Sequence, residues 1–189
     1  MLNNLLEIDH QLFIFLNNLG SESYDFLWIL ISNKICMFIF LLLLVSYLLL
    51  RYKQNRSIVF ICAIIVCISL TDLLHVHLFK NVFMRLRPCW NLDIIEYMRP
   101  LLIDCGGKYG FISGHAANAT ALTTFILFSF KRHNFILNYI LITWCLLVSY
   151  SRIYLGKHYP LDVFFGIVFG YLIGFGLFKL YNILYRKQL

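Results

Sequence analysis

The chain has 189 residues, of which 61% are hydrophobic and only 13% charged, with 18 Phe and 12 Tyr, a composition that excludes an ordinary soluble globular domain. It reads as an all-α integral membrane protein. The net charge of +7 from 16 Lys+Arg does not point to nucleic acid, because the basic residues stand at the ends of apolar runs or beside histidines. With no Ser/Pro- or Gly-rich linker, internal repeat or low-complexity segment to divide it, residues 1–189 are expected to form one membrane domain.

Residues 1–20 put Leu2, Leu5, Leu6, Leu12, Phe13, Leu16 and Leu19 on one helical face and Asn3, Glu7, His10, Gln11, Asn17 and Asn18 on the other. That pattern predicts an amphipathic helix lying at the membrane interface, with His10 solvated. Glu7 and Asp9 interrupt the apolar run that a signal peptide would need, and no basic segment precedes it. Five spans follow, at about 26–50, 58–79, 112–130, 135–150 and 163–185, and Ser32-Asn33-Lys34 breaks the outer third of the first, so Lys34 is expected to snorkel. The 51–56 loop, the 131–134 turn and the tail with Arg186 and Lys187 are basic, which places them and the C-terminus in the cytoplasm.

The N-terminal helix, the 80–111 segment and the 151–159 loop then share the opposite face. Lys80, Arg85, Arg87, Arg99, Lys108, Arg152 and Lys157 all lie there, against the positive-inside trend, and an anionic substrate would account for them. In the last span Gly166, Gly170 and Gly174 recur every four residues, a pattern that lets another helix approach closely. Packing within the bundle is the expected use, and a homo-oligomer is not predicted.

Three stretches on that face carry polar chemistry. Ser151-Arg152 and His158-Tyr159-Pro160-Leu161-Asp162 stand between two apolar runs; a helix starting near Pro160 puts Asp162 one turn beyond His158, where its carboxylate can bond one imidazole nitrogen and leave the other free. Lys80 and Arg87 lie two helical turns apart, and Pro88 biases Arg87 toward leaving the helix. In Ser113-Gly114-His115 a turn opens a long helix whose first N–H groups, with the Ser113 hydroxyl, suit an anion.

Together these stretches resemble the type 2 phosphatidic acid phosphatase superfamily of membrane lipid phosphatases. Its lysine, six residues, Arg-Pro pattern matches Lys80 to Pro88; its Pro-Ser-Gly-His element is met by Ile112-Ser113-Gly114-His115, with isoleucine for proline; its Ser-Arg, five residues, His, three residues, Asp element is met by Ser151, Arg152, His158 and Asp162. The resemblance covers roughly residues 58–185. It implies a helical-bundle phosphatase in which His158 attacks phosphorus, Asp162 orients it, and His115 protonates the leaving oxygen and later activates water. Lys80, Arg87, Arg152 and the Ser113-Gly114 backbone would neutralise the phosphoryl oxygens, with no metal or other cofactor required. The substrate implied is a lipid phosphate or pyrophosphate, with undecaprenyl pyrophosphate or a glycerolipid phosphate favoured slightly over lipid A, and the site implied faces the periplasm of a bacterial inner membrane. A non-catalytic anion or lipid carrier is the rival, disfavoured because a binding cage has no need of two histidines.

Asp72 and His75, at i and i+3 in the second span, are expected to support the active-site end of the bundle from behind. Cys36, Cys62, Cys67 and Cys145 lie within spans and read as small buried hydrophobes. Cys89 and Cys105 bracket the loop after Arg87-Pro88, and on a periplasmic face they are expected to form a disulfide that ties Arg87 to the His115 turn.

Overall fold

The computed structural model describes residues 2–52, 57–100, 103–130 and 135–186. All regular elements among them are helical: α1 (Leu2–Asn18), α2 (Glu22–Ser32), α3 (Lys34–Tyr52), α4 (Ser57–His75), α5 (Asn81–Phe83), α6 (Leu92–Ile95), α7 (Gly114–Ser129), α8 (Phe135–Tyr154) and α9 (Pro160–Arg186). A π-helical turn, Val76–Lys80, joins α4 to α5, and a 3-10 turn, Pro88–Trp90, precedes α6.

Among the described residues four stretches are long and apolar enough to cross a bilayer: Lys34–Arg51, Ile58–Phe83, Phe135–Tyr154 and Pro160–Leu184. The expected first span is cut in two. Asn33 has extended backbone, and its side chain accepts from the N–H of Ile35, so it ends α2 and starts α3 with a fresh cap. Phe26–Ser32 therefore belongs to a separate helix packed against α8, where Trp28 stacks on Tyr154 with ring centroids 5.1 Å apart. The expected third span also differs. α7 has only 16 residues, and Ala116, Ala117, Ala119 and Thr120 through Ile126 are all buried. It is the central post of the bundle, which is why its Thr120, Thr123 and Thr124 are tolerated: Thr120 meets the Cys145 sulfur at 3.2 Å and Thr123 donates to the Leu141 carbonyl.

The glycine pattern is used inside the bundle. Gly166, Gly170 and Gly174 of α9 lie directly against the carbonyl oxygens of Ser113, Ala117 and Ala121, so three successive turns of α9 touch three successive turns of α7 with no side chain between them. Beneath that seam the apolar core runs through Leu44, Leu48, Phe60, Ile64, Phe125 and Leu141. Cys67 and Cys145 are buried as expected, whereas Cys62 is exposed on the apolar outside of α4.

In α1 Asp9, Phe13 and Asn17, one turn apart, are buried, while Leu5, Ile8, Leu12 and Phe15 stand out at 43% to 61% exposure alongside the polar Glu7 and Gln11. His10 is not free in solvent, because its ring packs on Tyr159 with centroids 4.9 Å apart. The basic 53–56 and 131–134 loops and Lys187, on which the expected orientation rests, lie outside the described residues.

Candidate active site

α8 ends at Tyr154 because Gly156 takes the left-handed conformation (φ 68°), which glycine adopts without a Cβ clash; the Gly156 N–H then bonds Ile153 O and the Lys157 N–H bonds Arg152 O. The reversed chain delivers His158 to the bundle interior, and Pro160 opens α9 immediately after it. Asp162, fully buried in the first turn of α9, accepts the Tyr159 N–H at Oδ2 (3.0 Å), and that same oxygen lies 3.5 Å from His158 Nδ1. Nδ1 also sits against the Gly110 backbone, so Nε2 is the nitrogen left for chemistry. Desolvation holds the His158 ring well below its usual range, and the charges of Arg152, Arg87 and Lys80 push it in the same direction. The ring is therefore neutral, with a free lone pair, at physiological pH.

One turn before the reversal, Arg152 is buried and donates through Nη1 to the Ser32 hydroxyl at the end of α2. Its Nε has no protein partner among the described residues. Lys80 leaves α4 through the π-helical turn, a local widening that is frequent at functional sites. Arg87 arrives differently from the expected second turn of helix. The helix stops at Phe83, Met84 turns left-handed (φ 46°), and Leu86 pairs with Tyr109 in an antiparallel bridge. Arg87 is then fixed from the opposite strand of that bridge, by Nη1 to Cys105 O (2.7 Å) and Nε to Tyr109 O (3.3 Å). Cys89 and Cys105 are joined in a disulfide, so the carbonyl that aims Arg87 is covalently tied to its neighbourhood.

α7 supplies His115 from its first turn. Ser113 caps that helix but lies behind the wall: its N–H is donated to Asp162 O (2.9 Å), and its hydroxyl is buried without a protein partner among the described residues. That 2.9 Å bond ties the start of α7 to the start of α9, and with them the two histidines. Gly114 is pressed against the His75 ring, whose Nδ1 is 3.1 Å from Thr71 O. Asp72 sits 3.8 Å from His75 but spends its short bond elsewhere, accepting Asn118 Nδ2 at 2.7 Å.

These groups surround a cavity of about 630 Å³. Its polar lining includes Lys80, Arg87, Arg152, Lys157, His115 and His158, to which are added Ser32 and Lys34, the latter expected from sequence to snorkel to the headgroups. Its apolar lining includes Met37, Phe38, Leu41, Ile68, Leu122 and Trp144. Asp72 and Asn118 line it as well, and Asp72 is the one carboxylate among the lining residues. Burial pushes the Lys157 ammonium down to about 8, with Arg152 and Arg87 contributing. Five cations around a neutral imidazole suit a tetrahedral anion, and the apolar lining suits its hydrocarbon. Among the described residues no three His, Cys, Asp or Glu side chains gather as a metal-ligand group.

Sequence reasoning missed two further residues. Arg85, counted from sequence among the cations facing an anionic substrate, does not line the cavity and bridges two buried carboxylates, Nη1 to Asp162 Oδ1 (2.8 Å) and Nη2 to Asp9 Oδ2 (2.6 Å). Its guanidinium lies 4.1 Å from the Tyr159 ring centre. Only the i+2 spacing from Arg87 and the acid in an apolar helical stretch hinted at either.

The chain matches the model of the PAP2 superfamily over residues 60–186. It is 32% identical over 182 residues to the lipid A 4'-phosphatase of Porphyromonas gingivalis, covering 94% of this chain and 74% of that one. The lipid A 4'-phosphatase of Bacteroides thetaiotaomicron is 28% identical over 98% of this chain and 81% of its own length. Among solved structures, the transmembrane PAP2-type phosphatidylglycerolphosphate phosphatase of Bacillus subtilis superposes with a TM-score of 0.74 at 19% identity, over 97% of this chain and 89% of that one, a likeness of fold. The helical bundle, the three motif stretches gathered at one cavity and the family match over two thirds of the sequence agree, and the chain belongs to the PAP2 superfamily of membrane phosphatases.

Proposed function

We propose that this phosphatase removes a phosphate from a glycolipid of the lipid A type by transferring it to His158. The observation that carries the chemistry is the buried His158 ring, with Asp162 3.5 Å from its Nδ1, lining one cavity together with five cations and a set of apolar side chains. His158 Nε2 attacks phosphorus as the bond to the lipid oxygen breaks, and His115, whose ring burial and the Arg152 charge hold well below its usual range, takes up a proton with the bound phosphate and gives it to that oxygen. Neutral His115 then takes a proton from water, whose oxygen displaces His158 and releases inorganic phosphate. Asp162 receives the Nδ1–H more strongly while the ring carries charge, and Arg87, Arg152, Lys80 and Lys157 neutralise the phosphoryl oxygens.

Residues alone lean toward a polyprenyl or glycerolipid phosphate. The two relatives named lipid A 4'-phosphatase, each aligned over nearly the whole of this chain, shift that balance. The Asp72–Asn118 pair supports the same reading. A carboxylate is unfavourable beside a phosphate, but it accepts from the hydroxyl or amide N–H that a sugar places next to its phosphate ester, and a polyprenyl chain offers neither. The Cys89–Cys105 bond supports a site on the oxidising, periplasmic side.

The test is phosphate release in detergent, with chelator present, from lipid A, undecaprenyl pyrophosphate, phosphatidic acid and phosphatidylglycerophosphate. Wild-type protein is expected to favour lipid A and to retain acid-labile label from radioactive substrate. His158→Ala is expected to lose label and turnover together, by about a thousandfold or more, and His115→Ala to slow both. Normal turnover by folded His158→Ala would remove the mechanism, preference for a polyprenyl substrate would remove the lipid assignment, and binding without turnover across the panel would favour a carrier.

A further inference from the structure

We propose that Asp9, on the N-terminal helix, is a positioning residue for the reaction: through Arg85 it sets the place and charge of Asp162, and thereby the hold on the His158 ring. This rests on His158 being the nucleophile. The contacts run from α1 to the catalytic helix start. Leu161 N–H donates to Asp9 Oδ1 (2.9 Å), Arg85 donates to Asp9 Oδ2 (2.6 Å) and to Asp162 Oδ1 (2.8 Å), and the other oxygen of Asp162 lies 3.5 Å from His158 Nδ1. Asp9 and Asp162 are 3% and 0% exposed.

Docking of α1 does not require a buried charge. Phe13 is already fully enclosed, and Asn17 already crosses to the bundle, donating to the Ile153 and Tyr154 carbonyls and accepting the Arg99 N–H. A buried carboxylate costs several kcal/mol before its partners are counted and adds nothing to adhesion that an apolar residue would not supply. What Asp9 does supply is electrostatic. Arg85 carries one positive charge and faces two carboxylates; without Asp9 the Arg85 and Asp162 charges would cancel, and with Asp9 ionised the three groups together present a net negative potential to the imidazolium that forms when His158 is phosphorylated. Arg85 does not line the cavity, unlike Arg87 two residues on, so its own service is to Asp162 and not to phosphate.

The experiment compares full-length wild type, Asp9→Asn, Asp9→Ser and Asn17→Ala in detergent, reading kcat, KM, thermal midpoint and trapped label. Asp9→Asn is expected to lower kcat ten- to a hundredfold with KM within about twofold and the midpoint within a few degrees. Asp9→Ser, which keeps an acceptor for Leu161 without charge, stands in if the Asn variant is unstable. Asn17→Ala is expected to lower the midpoint while activity per folded molecule stays at the wild-type level. Unchanged kcat in a folded Asp9 variant overturns the inference, as does activity that falls only in step with folded fraction. Wild-type protein that turns over without trapping label condemns the His158 reading instead.

Discussion

Lys157 gains its importance from the charges beside it. Its ammonium, brought to about 8 by burial and by Arg152 and Arg87, carries charge below that pH and loses it above. The cage is then one cation weaker on the alkaline side, so kcat/KM for a phosphate monoester is expected to fall above pH 8, with kcat falling less because a bound phosphate pulls the proton back. Lys157→Arg, always charged, is expected to straighten that limb by about a unit or more in a pH–rate profile. On the acid side neutral His158 keeps its lone pair to well below its usual range. The motif residues were legible in sequence because each offers chemistry that packing does not ask for. Asp9 and Arg85 were not, since a polar residue on an amphipathic helix and a cation at a helix end each have an ordinary use, and only the tertiary fold buries them against one another.

Among the elements, α9 was the most readable, with Pro160 at its start and glycines at four-residue spacing. The break at Asn33 was written in Ser32-Asn33-Lys34, yet hydropathy alone runs α2 and α3 together, so Lys34 and Ser32 were lost from the site. The route of Arg87 was hidden for a related reason: a left-handed Met84 and a bridge to Tyr109 depend on a loop remote in sequence. The glycine seam gives a clear contrast between two substitutions. Gly170→Leu sets a side chain against the Ala117 carbonyl and is expected to destabilise by about 3 kcal/mol or more, losing folded protein on size exclusion. At Gly176 nothing lies within 4 Å, and Gly176→Ala is expected to leave the thermal midpoint unchanged or raise it, since alanine is the better helix former by about 0.5–1 kcal/mol.

At the scale of the molecule, the outer face is held by one covalent bond across a 16-residue separation, and removing it is expected to cost about 3 kcal/mol in the loop-entropy model. Cys89→Ser with Cys105→Ser, or wild type under reductant, is expected to lower the thermal inactivation midpoint and raise KM, because the Cys105 carbonyl no longer aims Arg87. A midpoint indifferent to reductant would count against that bond as a support. The α7–α9 seam acts over a longer range. His115 rides on one helix and His158 precedes the other, so the gap between the proposed acid and the proposed nucleophile is indexed by which glycine meets which carbonyl along the seam. Sliding by one notch, four residues, would move one histidine past the other by about 6 Å, more than any proton transfer tolerates. The working distance of this enzyme is thus kept like the teeth of a rack, and the gauge is made of missing methyl groups buried in the bilayer.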